Sequence, residues 1–186
     1  MIKILICLVP LFIHSLSLTG EESVYFTDSG YAEFTSHVPL HTFTGETENL
    51  TGMIDFEENI VDFYLDLNTL KTGIGRRDRD MYRTLNVEEH PFAEFTGALK
   101  SSFDENSDDE QTITVSGEFT IHGVTRDIRI EGILQNRDDG LFLEAEWVIN
   151  ITDYDIEPPG ILFYRVNEEQ EVRIEALLQP QDRDSL

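Results

Sequence analysis

From Ile60 onward the chain alternates apolar and polar residues with a period of two. In "IVDFYLDL", Val61, Phe63, Leu65 and Leu67 fall on one side and Asp62, Tyr64 and Asp66 on the other. Successive side chains of an extended backbone point to opposite faces, so this run reads as a strand with one face buried and one in water. The same pattern sets Ile113, Val115, Phe119 and Ile121 together in "TITVSGEFTI", with Gly117 interrupting the row where a barrel strand bends. It returns with Ile128 and Ile130, then with Leu141, Leu143, Ala145, Trp147 and Ile149, and finally with Val172, Ile174, Ala176 and Leu178. Less regular strand candidates cover 23–26, 31–36, 41–47, 51–56 and 92–101.

The connections are short and rich in turn formers: His122-Gly123, Asp138-Asp139-Gly140 and an acidic loop over 104–110. Only 74–86 changes period, where Ile74, Met81 and Leu85 share one face of a short helix. About eight one-faced strands joined by tight turns predict an all-β fold, an antiparallel up-and-down barrel that is closed or nearly so. A barrel of that size either fills with its own side chains or holds one elongated small ligand. Periodicity alone favours the filled core, and both outcomes stay open at this point.

The first residues do not fit this pattern. Lys3 precedes an unbroken apolar stretch over 4–13, followed by small residues at Ser15 and Ser17 and then by Glu21 and Glu22. This reads as a secretory signal peptide over 1–20, with cleavage after Ser17 or Gly20. Pro10 and His14 cut the run short of the roughly 20 residues a membrane span needs, so no transmembrane segment is expected in the mature chain. One barrel domain over 21–180 and a frayed tail over 181–186 would remain. The single cysteine, Cys7, lies in the leader, so the mature fold rests on packing without disulfides.

Charge narrows the partners. With 37 acidic and 13 basic residues the formal net charge is −24, which argues against nucleic acid and against anionic membrane surfaces. The excess of carboxylates reads first as a solvated, solubilising surface. Five of the 13 basic residues nevertheless gather in "TLKTGIGRRDRDMYRTLNVEEHPFAEF", residues 69–95.

That segment is also part of a family resemblance. The runs "GYAEFTS", "FTGETENLTGMIDF", "LKTGIGRRDRDMYRTLNVEEHPFAEFTG" and "VSGEFTIHGVTRDIRIEG" resemble the YceI-like domain, a lipocalin-like barrel family associated with binding polyisoprenoid lipids. The most specific pieces are Thr72-Gly73 followed by Arg77-Asp78, then His90-Pro91, then Gly117 through Gly123-Val124-Thr125-Arg126. The resemblance runs from about Ser23 to Leu178. His90 stands where the family commonly has tyrosine, and the loop at 104–110 is long and charged, which leaves the preferred lipid open.

The resemblance implies a periplasmic or secreted protein that stores or carries an isoprenoid or quinone-like lipid without catalysis. The expected apolar lining is Phe34, Phe63, Leu65, Phe95, Phe119, Leu143 and Trp147. The rival reading is a ligand-free barrel acting as a secreted interaction or stress-associated module, with those side chains filling the interior. Two roles compete for the arginines. Arg76, Arg77 or Arg83 could meet a lipid headgroup at the barrel mouth. Alternatively, Arg77-Asp78 anchors the helix while the others pair with Asp80, Glu88 or Glu89, and this anchoring role is favoured for Arg77 and Asp78. The alternating signs of "RRDRD" leave little net positive charge, which suits a neutral or weakly charged headgroup.

Other motifs carry less. His37 and His41 have zinc-like helical spacing but lie in a strand-and-turn segment with Pro39 between them. "DENSDDE" lacks the central glycine and closing glutamate of a calcium loop, so it reads as a solvated turn. Asn49-Leu50-Thr51 and Asn150-Ile151-Thr152 match a glycosylation pattern but read as ordinary strand residues. There is no thiol nucleophile in the mature chain, no G-x-S-x-G elbow and no glycine-rich phosphate loop, so neither an enzyme nor a cofactor or metal is expected.

Overall fold

The computed structural model describes residues 23–38, 41–161 and 164–183. The leader, with its cleavage positions and Cys7, lies outside the described residues. Among the described residues ten strands are present: β1 (Ser23–Val38), β2 (His41–Asp55), β3 (Ile60–Asp66), β4 (Phe92–Leu99), β5 (Gln111–Ile121), β6 (Val124–Arg137), β7 (Gly140–Asn150), the short β8 (Gly160–Ile161) and β9 (Tyr164–Arg165), and β10 (Glu169–Asp182). One α-helix, α1 (Gly75–Thr84), lies between β3 and β4. Eight strands close into an antiparallel barrel in the order β1-β10-β7-β6-β5-β4-β3-β2, while β8 and β9 form a separate hairpin. Closure leaves no barrel strand with an unpaired edge.

The first two strands are longer than their sequence pattern suggests. The candidates at 23–26 and 31–36 belong to the single strand β1, and those at 41–47 and 51–56 fall within β2. The cause is a change of face within each strand. The register of β1 shifts between Thr27 and Ala32, so the buried inward positions pass from Thr27 before the irregularity to Ala32 and Ser36 after it. In β2 the buried positions pass from Thr47 to Leu50 and Ile54, across the same shift. A bulge that adds a residue to one strand breaks period two without breaking the strand.

Elsewhere the period holds. Leu65, Phe95, Phe119 and Leu143 are buried, and outward positions carry the charge. On the outer wall Arg173 is threaded among Glu144 at 3.0 Å, Glu146 at 3.7 Å and Glu175. Gly97 faces Gly117 across β4 and β5, and a Cβ at Gly117 would meet the Thr96 carbonyl oxygen at 2.2 Å. The two backbones approach so closely there that only hydrogen fits. His122 (φ 58°) and Gly123 (φ 75°) form the tight turn between β5 and β6, matching the twist of the strands it joins.

The two ends of the barrel are unlike. At the floor, Phe56 stacks on Phe103 with centroids 5.1 Å apart, and Tyr25 meets Phe56 edge-on at 5.7 Å. β10 runs through Asp182, into the stretch read as a tail, and Arg183 Nη2 reaches Asp55 Oδ2 at 2.8 Å and Glu57 at 3.3 Å. Asp55 is buried and also accepts the backbone N–H groups of Glu57 and Glu58, so its charge is fully engaged. The acidic loop at 104–110 is pinned to β6, where Asn136 donates to the carbonyls of Glu105 (2.7 Å) and Ser107 (3.1 Å).

At the other end, β3 passes through a 3-10 turn (Leu67–Thr69) into α1. Leu67, read as a strand residue, sits in that turn yet is buried. Ile74 is not on the packing face of the helix: it is the N-cap residue, with extended backbone, and is 51% exposed. Met81, Tyr82 and Leu85 supply the packing, while no residue of α1 is fully buried.

Candidate functional site

The interior is not filled. Between floor and helix lies a cavity of about 360 Å³, lined almost entirely by apolar side chains. That volume falls within the range of about 300–1,000 Å³ usual for small-ligand sites. All seven residues singled out as a lining, Phe34, Phe63, Leu65, Phe95, Phe119, Leu143 and Trp147, border it.

Small residues in the wall keep the space open. The Phe63 ring covers Gly52 across β2 and β3, where a Cβ would meet Cδ1 at 2.0 Å, and the Phe34 ring covers Gly45, where it would meet Cε1 at 2.2 Å. Each ring lies against the wall over a glycine instead of projecting across the lumen. Phe119 is fixed by edge-on contacts with Tyr154 at 5.6 Å and Trp147 at 6.4 Å. Tyr154 is buried, and that burial, more than Asp153 nearby, raises its phenol above the usual value, which keeps the contact neutral.

The mouth is formed by Phe43, by Arg77, Asp80, Met81, Thr84 and Leu85 of the helical segment, and by Pro159 and Val166. The three candidate headgroup arginines separate here. Arg77 borders the cavity, its guanidinium carbon 4.5 Å from the centre of the Phe43 ring, a cation–π geometry. Arg76 and Arg83 instead flank Asp80 on the exposed face of α1, at 3.9 Å and 3.1 Å. Arg83 also borders a shallow polar hollow with His122, Asp155 and Glu157.

Asp78 anchors the helix to the segment before it. Its carboxylate accepts from Thr72 Oγ1 at 2.6 Å and from the Thr72 backbone N–H at 2.8 Å. The Thr72 hydroxyl bond is the main reason its pKa lies below the ordinary carboxylate value. The Tyr82 hydroxyl, 2.6 Å from the Leu70 carbonyl, ties the next turn to the same segment. Glu89, one of the expected arginine partners, accepts from Asn86 at 2.9 Å.

Two polar residues of the lining escaped the sequence reading: Ser36 and Gln170, both buried. Ser36 follows Phe34 by two positions and Gln170 precedes Val172 by two, so strand parity marks them as inward, although their polarity conceals it. The His37 ring bonds Thr42 (3.1 Å) and approaches Glu171 (3.4 Å), and the His41 side chain lies outside the described residues. Among the described residues no group of three or more His, Cys, Asp or Glu could hold a metal ion, and no helix is long and apolar enough to cross a membrane. Asn150 is the N-cap of a 3-10 turn, accepting from Thr152 N at 3.0 Å, which accounts for its Asn-x-Thr spacing.

A sequence-family model for the YceI-like domain matches residues 23–179. Among solved structures, a polyisoprenoid-binding domain from Saccharophagus degradans implicated in plant cell wall breakdown superposes with a TM-score of 0.72 at 17% identity, covering 85% of this chain and 98% of that one. Burkholderia cenocepacia BcnA gives 0.64 at 12% identity, with 78% and 94% coverage. A Campylobacter jejuni YCEI protein gives 0.59 at 16%, with 78% and 88% coverage. No curated protein matches the chain.

Proposed function

The chain belongs to the YceI-like domain family, and from that premise we propose that it binds an isoprenoid or quinone-like lipid within its barrel, as a non-catalytic carrier or reservoir in the cell envelope. One observation supports this most directly: the large inward side chains border a cavity of about 360 Å³ where a ligand-free barrel would bring them together. The similarity to a polyisoprenoid-binding domain from Saccharophagus degradans agrees with such a cargo.

The energetics are simple. Each buried methylene contributes about 0.8 kcal/mol, so an alkyl or prenyl tail supplies affinity without many polar contacts. The tail would occupy the apolar depth near Phe63, Phe95 and Leu143, with the polar end towards Arg77 at the mouth. The leader-like segment 1–20 accords with a site of action outside the cytoplasm, where a carrier would shield the tail from water.

Native mass spectrometry of the protein purified gently from its own envelope fraction, followed by organic extraction, tests the reading. A stoichiometric prenyl or quinone lipid is expected. A clean apo mass, unchanged after incubation with a panel of isoprenoids, would overturn it in favour of a ligand-free interaction module.

A further inference from the structure

The upper part of the cavity holds two polar atoms with nothing to bond. Ser36 is 0% exposed and its Oγ has no hydrogen-bond partner, and neither has the buried indole N–H of Trp147. Both residues border the cavity. Buried polar groups are almost always paired, because an unpaired one forfeits the bonds it made with water. Two such atoms in the wall of one otherwise apolar cavity mark a place where a partner belongs.

Strand register puts them on adjacent levels near the mouth. Phe43, Ser36, Gln170 and Ile149 lie side by side across β2, β1, β10 and β7, and Gly45, Phe34, Val172 and Trp147 form the next level down. Gln170 already donates its amide nitrogen to the Asn167 carbonyl at 2.5 Å. Arg77 of α1 stands over the Phe43 ring.

We propose that Ser36 and Trp147 form a polar subsite inside the barrel, beneath the mouth, that takes a neutral oxygen function of the bound lipid, a hydroxyl or a carbonyl. This rests on the carrier reading and narrows its ligand class. The indole N–H only donates and the serine hydroxyl donates or accepts, so the complement is an oxygen acceptor. Neither atom carries charge, and the site is desolvated, so a phosphate drawn to this depth would lose far more hydration than two neutral bonds return. A hydroxyl or ring carbonyl loses little and offers an acceptor to either orphan.

Trp147 is the sole tryptophan of the chain, so its fluorescence reports on the subsite directly. Geranylgeraniol, the same prenyl hydrocarbon lacking the hydroxyl, and geranylgeranyl phosphate would be titrated into wild-type protein and Ser36→Ala by fluorescence. Trp147→Phe would be titrated by calorimetry. Wild type should prefer the alcohol over the hydrocarbon by about five- to tenfold, the scale of a buried hydrogen bond. Ser36→Ala should bring the two close to parity and leave thermal stability of the empty protein unchanged or higher, since it removes an unsatisfied hydroxyl. Equal binding of alcohol and hydrocarbon to wild type, or a preference that survives both substitutions, overturns the subsite while the carrier reading stands. Tighter binding of the phosphate, dependent on Arg77 and indifferent to Ser36, overturns it too. If none of the three binds, the carrier reading fails and the subsite with it.

Discussion

The floor and the mouth of this barrel are closed by different physics. At the floor, Tyr25, Phe56 and Phe103 pack ring on ring, and Arg183 is bound to a buried Asp55 whose oxygens are all engaged. At the mouth, α1 buries no residue completely, its ion pairs are solvent-exposed, and it is held by the bonds of Asp78 to Thr72 and by the Tyr82 hydroxyl. Ser36 Oγ and Trp147 Nε1, without hydrogen-bond partners, lie towards the mouth end as well. One end is built to stay shut. The other is attached by few, mostly exposed contacts, which is where local opening costs least.

The sharpest break in that contrast comes from the floor. Arg183→Ala leaves Asp55 as a buried carboxylate without its cation, and breaking such a pair from one side costs up to about 3–5 kcal/mol when fully buried. Because the Arg183 side chain is 31% exposed, about 2–3 kcal/mol is expected. Denaturant unfolding checks this, with lipid affinity unchanged for the folded fraction. A loss of lipid retention at unchanged stability would mean that the two ends do not divide the work.

Leu143→Trp addresses the space between the ends. An indole added to a cavity of about 360 Å³ should be accommodated, with stability lowered by less than about 1.5 kcal/mol, whereas the same insertion into a packed core costs about 1–3 kcal/mol or more. Lipid binding should fall at least about tenfold, as two buried methylenes already account for that much. Unfolding of the variant would show that the interior behaves as a core.

The sequence made the middle of the molecule legible and the first two strands much less so. Period two from Ile60 onward marks faces correctly at Phe63, Phe95, Phe119 and Leu143, because those strands carry no bulge on the inward face. The shifts near Thr27–Ala32 and Thr47–Leu50 move the buried side from one parity to the other, and a parity rule then divides one strand into two. Whether the inward rings fill the barrel or border a cavity depends on where they lie, and the glycines under Phe34 and Phe63 give no periodic signal of that. Ser36 and Gln170 were hidden by polarity, and the separation of Arg77 from Arg76 and Arg83 follows from helix rotation relative to the mouth.

Acid should loosen the mouth before the floor aromatics are touched. The folded pKa of Asp78 is lowered, chiefly by the Thr72 hydroxyl, so its contribution is fully present above the unfolded value of about 3.9 and is lost as pH falls through the folded one. Amide exchange across 72–85, taken relative to its intrinsic rate at each pH, should therefore quicken below about pH 4. Asp78→Ala should reproduce the effect at neutral pH, costing about 1–2 kcal/mol. Equal quickening in β5 and β6 would mean that acid acts on the whole barrel.

The smallest effects distinguish the arginines from one another. Arg76 and Arg83 pair with Asp80 in water, where such bridges contribute at most about 0.5 kcal/mol, so Arg76→Ala or Arg83→Ala should leave both unfolding and lipid retention nearly unchanged. Arg77→Ala removes a guanidinium that borders the cavity over Phe43, worth about 0.5–1 kcal/mol to the fold, and should weaken retention of a lipid with a polar head a few-fold. The salt dependence decides between contact and diffuse attraction. A direct Arg77 contact, partly shielded at the mouth, should survive physiological ionic strength, whereas a general pull of the basic helix on the head should fade with it and be shared by all three arginines. If Arg76→Ala weakens retention as much as Arg77→Ala does, the rim acts through its summed charge, and the location of Arg77 beside the cavity has no special consequence.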